Sequence, residues 1–559
     1  MVLPCRCRAD SAADRYGGFR YDAFAAALRR ARGMSALGAF ELVLMLLTVA
    51  VLLALAARRL HVPPAVAFVL GGMLLAITPG VRVLELDPDL YLSLFLPPLV
   101  QASAYFTVWR EFRASLRPIL LLAVGLVFFT AFSIGWLAKL LFPDVPWAVA
   151  FTLGAIISPT DTAVTTAVLA RLRIPQRMVT ILEGESLVND ASGLVLYRVA
   201  MAAAVAGQFN LLHAAFSFVL LFAGGIAVGA ACGYGVIWLF RRLHDPNLEI
   251  AASFLIAWAS FLVAEAVGVS GVLATTTCGL LMGWYQHETF SAQTRMQVRA
   301  AWSVAVFALE ALLFILIGLS LRRILSRFDA HAAETLVPLA LMISFGVIAA
   351  RLVWVFPATY LPRLLVPAIR RADPYPRPSA PLVIGWAGMR GAVSLAAALA
   401  LPGDFPYRDP ILLITFIVIL VTLLIQGGTL GIVIRGLKLT LRVDREAAPA
   451  HAHVRAAIAA VALHVIEEHT TDPLDGAIAA DMIREFRDRA GWLVRVHENA
   501  GAVRAEHAAR FALRREALDA SRAELLRLHR AQEIGDDALS VLEQELDLEE
   551  VKLRSQVAG

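Results

Sequence analysis

The sequence predicts an all-α polytopic membrane protein. About thirteen transmembrane helices are expected in two inverted six-helix repeats with broken crossing helices, followed by a helical cytosolic tail. Three observations carry that expectation. Of 559 residues, 59% are hydrophobic and only 17% charged, with a mean hydropathy of +0.70, whereas soluble domains are nearer half apolar and a quarter charged. Apolar runs of about 20 residues recur along most of the chain, each long enough to cross a bilayer, and in lipid a helix satisfies its own backbone groups. Finally, arginines gather in alternate loops between those runs, as orientation in a membrane requires.

The runs fall at 37–57, 65–79, 89–107, 117–141, 147–170, 181–206, 212–241, 249–267, 271–285, 299–322, 335–361, 382–402 and 409–433. Loops on one side hold sixteen arginines, from Arg58 and Arg59 to Arg371 and Arg377, against five on the other. The richer side is read as cytoplasmic, which places the tail in the cytoplasm and the protein in the cell (inner) membrane, with the lipid bilayer as its first partner. Arg322, Arg323 and Arg327 lie on the poorer side and are not explained by this scheme.

Three segments follow. Residues 1–33 are polar and arginine-rich, without the apolar core of a signal peptide, and read as a disordered tail or a start site misplaced ahead of Met34. Residues 34–437 form the transmembrane domain. Residues 438–559 are charged, alanine-rich and helical in pattern, with Leu539, Leu542, Leu546 and Leu553 on one face and seven of the twelve histidines; these histidines read as solvated rather than as a sensor.

The net charge of +5 and pI near 9.1 do not indicate nucleic acid, because the arginines flank apolar runs. Cys5, Cys7, Cys232 and Cys278 offer no disulfide framework, and Cys5 and Cys7 have no partner cluster for a metal. No cofactor is expected.

Ionisable residues inside lipid are costly and default to function. They are Asp161, Glu183, Glu185, Asp190, Arg198, Glu265, Glu310, Arg351 and Arg390. In the fifth run, "FTLGAIISPTDTAVTTAVLA", Pro159 removes a backbone donor; a break there frees carbonyls that can coordinate a cation and creates a half-helix N-terminus for Asp161 to offset. In "ILEGESLVND", Glu183, Ser186 and Asp190 share one helical face, and Glu185 and Asn189 share the next. Asp190 then looks into a site where Ser186 supplies a second oxygen, while Glu185 needs its own counter-charge. Oxygen ligands without Cys or His suit a hard cation. In the twelfth run, Gly385, Gly388 and Gly391 weaken the helix around Arg390, although close helix packing alone would also use them. Breaks in the fifth and twelfth runs sit seven apart, as two inverted six-helix halves would place them; such pairs point to a transporter's midplane site. Arg351 offers a buried cation to one of the carboxylates.

"GAIISPTDTAV", "EGESLVNDASGLVLY", "AARLVWV" and "GWAGMRGAVSLA" together resemble the monovalent cation:proton antiporters of the sodium/proton exchanger family, bacterial branch, from about residue 40 to 435. The resemblance implies a homodimer whose core domain slides against a dimerisation domain. It implies that Asp190 binds cation or proton, that Ser186 and the backbone of Thr160 help coordinate the cation with Asp161 nearby, and that Asn189 holds the geometry without charge. It further implies a structural bridge between Glu185 and Arg351, and leaves the role of Arg390 open. Asn189-Asp190 resembles the electroneutral class, one proton for one cation, with Na⁺ expected first and K⁺ or Li⁺ as the other candidates. One departure is "LPPLVQASAY": some members carry an acid shortly after Leu-Pro-Pro, where this chain has Gln101, Ala102 and Ser103.

Two rivals are weaker. A gated cation channel needs a continuous carboxylate-lined pore. An intramembrane aspartyl protease using Asp161 and Asp190 needs two carboxylates sharing a proton, and Asn189 and the arginines do nothing for it.

Overall fold

Proline and glycine divide an otherwise helical chain. In the computed structural model, residues 36–439 are described apart from 80–87, 207–210 and positions 162, 170, 171, 173, 244 and 329, together with 502–531 and scattered positions between 461 and 550. Residues 1–33, with Cys5 and Cys7, therefore lie outside the described residues, as do Arg82, Arg171, Arg173, Leu553, His451, His453, His469 and His497.

The described membrane helices are α1 (Ala36–Leu60), α2 (Pro64–Ile77), α3 (Pro88–Phe106), α4 (Trp109–Ala114), α5 (Leu116–Leu141), α6 (Trp147–Ile157), α7 (Ala163–Leu169), α8 (Gln176–Ala206) and α9 (Leu211–Phe240). They continue with α10 (Pro246–Val267), α11 (Gly271–Thr289), α12 (Ala292–Leu325), α13 (Ala330–Leu365), α14 (Pro367–Ala372), α15 (Ser379–Trp386), α16 (Ala392–Leu399) and α17 (Arg408–Gly436). All described elements are helical, and seven of the helices are long and apolar enough to cross a bilayer. The chain is an all-α polytopic membrane protein.

Local chemistry sets several ends. Asp245 accepts hydrogen bonds from the Asn247 and Leu248 amides, with Pro246 opening α10, and Gly268 at φ 84° closes it. Ser270 and Ser291 cap α11 and α12 in the same way. Both expected breaks occur. α6 stops at Ile157, just before Pro159, and α7 resumes at Ala163; α15 stops at Trp386 and α16 resumes at Ala392. α2 is shorter than expected, ending at Ile77, and α12 begins seven residues before the apolar run at 299. On the arginine-poor side, Arg327 donates to Asp409 over 2.5 Å, which accounts for one of the three arginines left unexplained above.

The helices pack in two groups. α12 lies along α2, and α11 along α3, α9 and α10; α6 lies along α5 and α8, while α13 packs on α15 and α17. Between the groups contact is thinner, chiefly α16 on α3 and α8 on α9. That seam is where the polar residues meet.

A compact division falls between Thr440 and Leu441. In the second unit, α18 (Ala502–Arg530) carries Arg522, which donates to both Asp547 and Glu550.

Candidate cation and proton site

The site is assembled where the two interrupted stretches meet α8. Pro159 ends α6 because it has no amide proton and crowds the preceding turn. The chain then runs non-helical through Asp161, whose amide donates to the Met389 carbonyl in the other interruption at 2.8 Å. The two breaks are therefore hydrogen-bonded to each other.

Two arginines occupy the ends left open. The Arg390 Nε donates to the carbonyl of Ile157, the last residue of α6, at 2.9 Å, and its Nη1 donates to Gly388. Arg351 donates to the Ile384 carbonyl in the last turn of α15 through Nε at 3.2 Å and Nη2 at 3.0 Å. Each guanidinium thus meets unpaired carbonyls and the negative end of a half-helix. Sequence reasoning offered Arg351 only as a counter-charge and left Arg390 without a role.

Glycine is required at two positions here. A Cβ at Gly388 would overlap the Arg351 guanidinium, and one at Gly391 would overlap the Asp161 carboxylate. Asp161 therefore lies against the residue that opens α16, so it faces the N-terminus of the second interrupted helix. The expectation had it offsetting the end of its own stretch.

A second layer stands behind. Arg351 makes a two-pronged ion pair with Glu185, the Nη2 to Oε2 arm being 2.8 Å, and each side chain is 1% exposed. Thr160 donates its hydroxyl to Glu185 at 3.0 Å, and Asn189 donates its amide to that hydroxyl. Ser186 and Asn189 also donate to the Thr160 carbonyl, at 3.2 and 3.4 Å. Thr160 is 3% exposed and its carbonyl is engaged by these two donors, so of the four expected cation ligands it sits behind the others.

The front layer lines a cavity of about 600 Å³ in the seam between the helix groups. Asp161, Glu183, Ser186 and Asp190 face it from one group, and Arg299 and Glu310 from α12 in the other. Residues at i, i+3 and i+7 of α8 thus share the cavity wall, while Glu185 and Asn189 point behind it. From Arg299, on the arginine-rich side, to the level of Phe314 the cavity follows α12 for about 22 Å. Asp190 is 9% exposed, lies within reach of the Asp161 and Glu185 charges, and has no ion pair among the described residues. Gln101 does not face the cavity: its amide donates to the Met282 sulfur, and Ser103 lines the wall instead.

Two interrupted helices crossed at a buried ion pair, beside an aspartate on a cavity wall, define an ion-coupled secondary transporter. The sodium/hydrogen exchanger transmembrane family matches residues 44–436, and the chain belongs to that family. It is similar to a protein of Mycobacterium bovis named an uncharacterized Na(+)/H(+) exchanger, with 33% identity over 516 residues covering 89% of this chain and 93% of the relative. It is also similar to the sodium, potassium, lithium and rubidium/H(+) antiporter of Bacillus subtilis, with 33% identity over 70% of this chain and 61% of that one. In fold it is similar to the sodium proton antiporter MjNhaP1 of Methanocaldococcus jannaschii, at TM-score 0.58 and 19% identity, covering 71% of this chain and 98% of that structure.

Proposed function

We propose that the chain exchanges protons for monovalent cations across the cell (inner) membrane, one for one, by alternating access. One observation carries this reading: α8 carries Glu183, Glu185 and Asp190, and Glu185 is taken up by Arg351, while Asp190, at the middle of the helix, faces the cavity without an ion pair among the described residues. A proton and a cation then compete for the same carboxylate. Either one neutralises Asp190, and only that neutralised form crosses the low-dielectric seam readily, because an empty carboxylate would carry an uncompensated charge into it. Exchange follows without a separate gate.

Asp161 and Ser186 join Asp190 as the oxygen ligands facing the cavity, and the Thr160 carbonyl joins them when Ser186 turns toward the cation. Asn189, Glu185, Arg351 and Arg390 hold the frame. On the far side of α8, Arg198 pairs with Glu265 of α10 at 2.7 Å, which supports a seam closed on one face while the cavity stands open on the other. Na⁺ is the expected cargo, with K⁺ and Li⁺ as alternatives. A homodimer with the tail in the cytoplasm follows from the family reading and the arginine distribution.

The test is Asp190→Asn in proteoliposomes carrying a pH dye. Cation-dependent proton movement should drop to the level of empty vesicles; persistent exchange would refute the assignment. A gated channel is separated by clamping the voltage at zero, where exchange should proceed unchanged and saturate with cation.

A further inference from the structure

Glu310 has no place in the scheme above, and its surroundings say what it does. It is the sole acid in the apolar core of α12, "VFALEALLFILIG". Its neighbours Ala311, Leu313 and Phe314 are buried in the main hydrophobic core. Phe307, Glu310, Leu313 and Phe314 recur at helical spacing along the cavity wall, so one stripe of α12 faces the seam and carries the carboxylate there.

No basic side chain answers it. The charged residues lining the cavity are Asp161, Glu183, Asp190, Glu310 and Arg299. Arg299 is eleven residues earlier on the same helix, about 16 Å away along the axis, and its guanidinium lies over the Phe106 ring. Glu310 has neither ion pair nor hydrogen bond among the described residues, and the charge it meets first is that of Asp161, like its own. Within the same helix group, Tyr91 of α3 donates to the Leu313 carbonyl one turn further along α12. A carboxylate in this position is neutralised either by a proton or by a visiting group of opposite charge. The cavity that reaches it is the route assigned above to a monovalent cation.

We propose that Glu310 is a second cation-contacting carboxylate of the exchange route, receiving the hydrated ion on α12 as Asp190 takes it on α8. The two acids belong to different helix groups. Asp190 travels with the crossed helices, whereas Glu310 stays with α12, so its contact is made only while the cavity is open on the arginine-rich side. It therefore sets the affinity with which the cation is gathered there and leaves the one-for-one loading of Asp190 unchanged.

The inference rests on the exchange reading, and one experiment tells the two apart. Initial rates are measured in proteoliposomes against cation concentration for the unaltered protein, Glu310→Gln and Glu310→Asp. Removing one water-screened charge at the ion's position should raise KM about tenfold in Glu310→Gln, with kcat within about twofold. Glu310→Asp, which withdraws the carboxylate by one methylene, should raise KM about threefold. A packing role would instead lower kcat in both variants with KM unmoved, and that outcome overturns the proposal, as does an unchanged KM in an active Glu310→Gln. If Glu310→Gln is not recovered folded from gel filtration, the Glu310→Asp KM decides alone: no change overturns the proposal. No exchange by the unaltered protein would defeat the exchange reading itself.

Discussion

Glu185 and Asp373 are both held by arginine, and they are held differently. Glu185 sits in the crossing with one arginine and one threonine, and both members of the ion pair are 1% exposed. Asp373, in the loop after α14, is shared by three arginines at the arginine-rich edge: Arg117 from α5, Arg177 from α8 at 2.8 Å and Arg363 from α13 at 2.7 Å. At the crossing Glu185 has a single arginine, so the buried pair itself carries no surplus charge. At the edge an excess of positive charge is tolerated, because water and salt screen it. The first arrangement joins α8 to α13 at the crossing and leaves Asp190 facing the cavity. The second ties together the ends of three crossed-group helices.

The contrast is broken first at Glu185. Glu185→Gln leaves Arg351 buried beside a neutral amide, an uncompensated charge worth about 3–5 kcal/mol. Melting followed by gel filtration in detergent should show a large fall in Tm or no folded protein. Replacing both partners together, Glu185→Leu with Arg351→Met, should recover much of that loss, because buried pairs are often neutral against apolar isosteres. A Glu185→Gln protein as stable as the parent would remove the distinction between the two sites.

A smaller effect is expected at the glycines that let the crossing close. Gly391→Ala places a methyl group where the Asp161 carboxylate lies, and overpacking of this kind costs about 1–3 kcal/mol. The sharper readout is transport: displacing Asp161 from the start of α16 should reduce exchange well beyond what the Tm shift explains. Gly436→Ala, which meets open space, is the control and should leave both unchanged.

Which of these features the sequence disclosed follows from the range of the signals. The breaks in the fifth and twelfth runs were readable because Pro159 and the glycines around Arg390 act on their own backbone. The two faces of α8 were readable because helical spacing alone puts Glu183, Ser186 and Asp190 on one side and Glu185 and Asn189 on the other. The partners across the crossing were not. Nothing local to Arg390 says that it closes α6, and nothing near Asp161 says that it meets the start of α16 rather than that of α7. These are contacts between residues more than 200 positions apart, fixed only when the two interruptions pack. Thr160 shows the same limit: the family resemblance makes it a ligand, but the fold gives its carbonyl to Ser186 and Asn189. Glu310 was visible as an acid in an apolar run, and only the seam shows what it faces.

The mildest effect separates the edge cluster by pH. Burial pushes the Asp373 carboxyl up, but hydrogen bonds and charge from Arg177 and Arg363 outweigh it and hold the group at about 2, against about 3.9 in an unfolded chain. A depressed folded value means that the cluster's contribution is complete above about pH 4 and is lost as pH falls toward 2. Because the cluster is partly solvated, that contribution is about 1 kcal/mol rather than the full value of the shift. Asp373→Asn should therefore melt slightly below the parent at pH 7, and the two Tm curves should converge as pH falls from 4 to 2. Other carboxylates titrate in the same range, but they do so in both proteins and cancel in the difference. A gap that stayed constant over that range would mean that Asp373 acts through the geometry of its loop and not through its charge, and the contrast with Glu185 would then rest on packing alone.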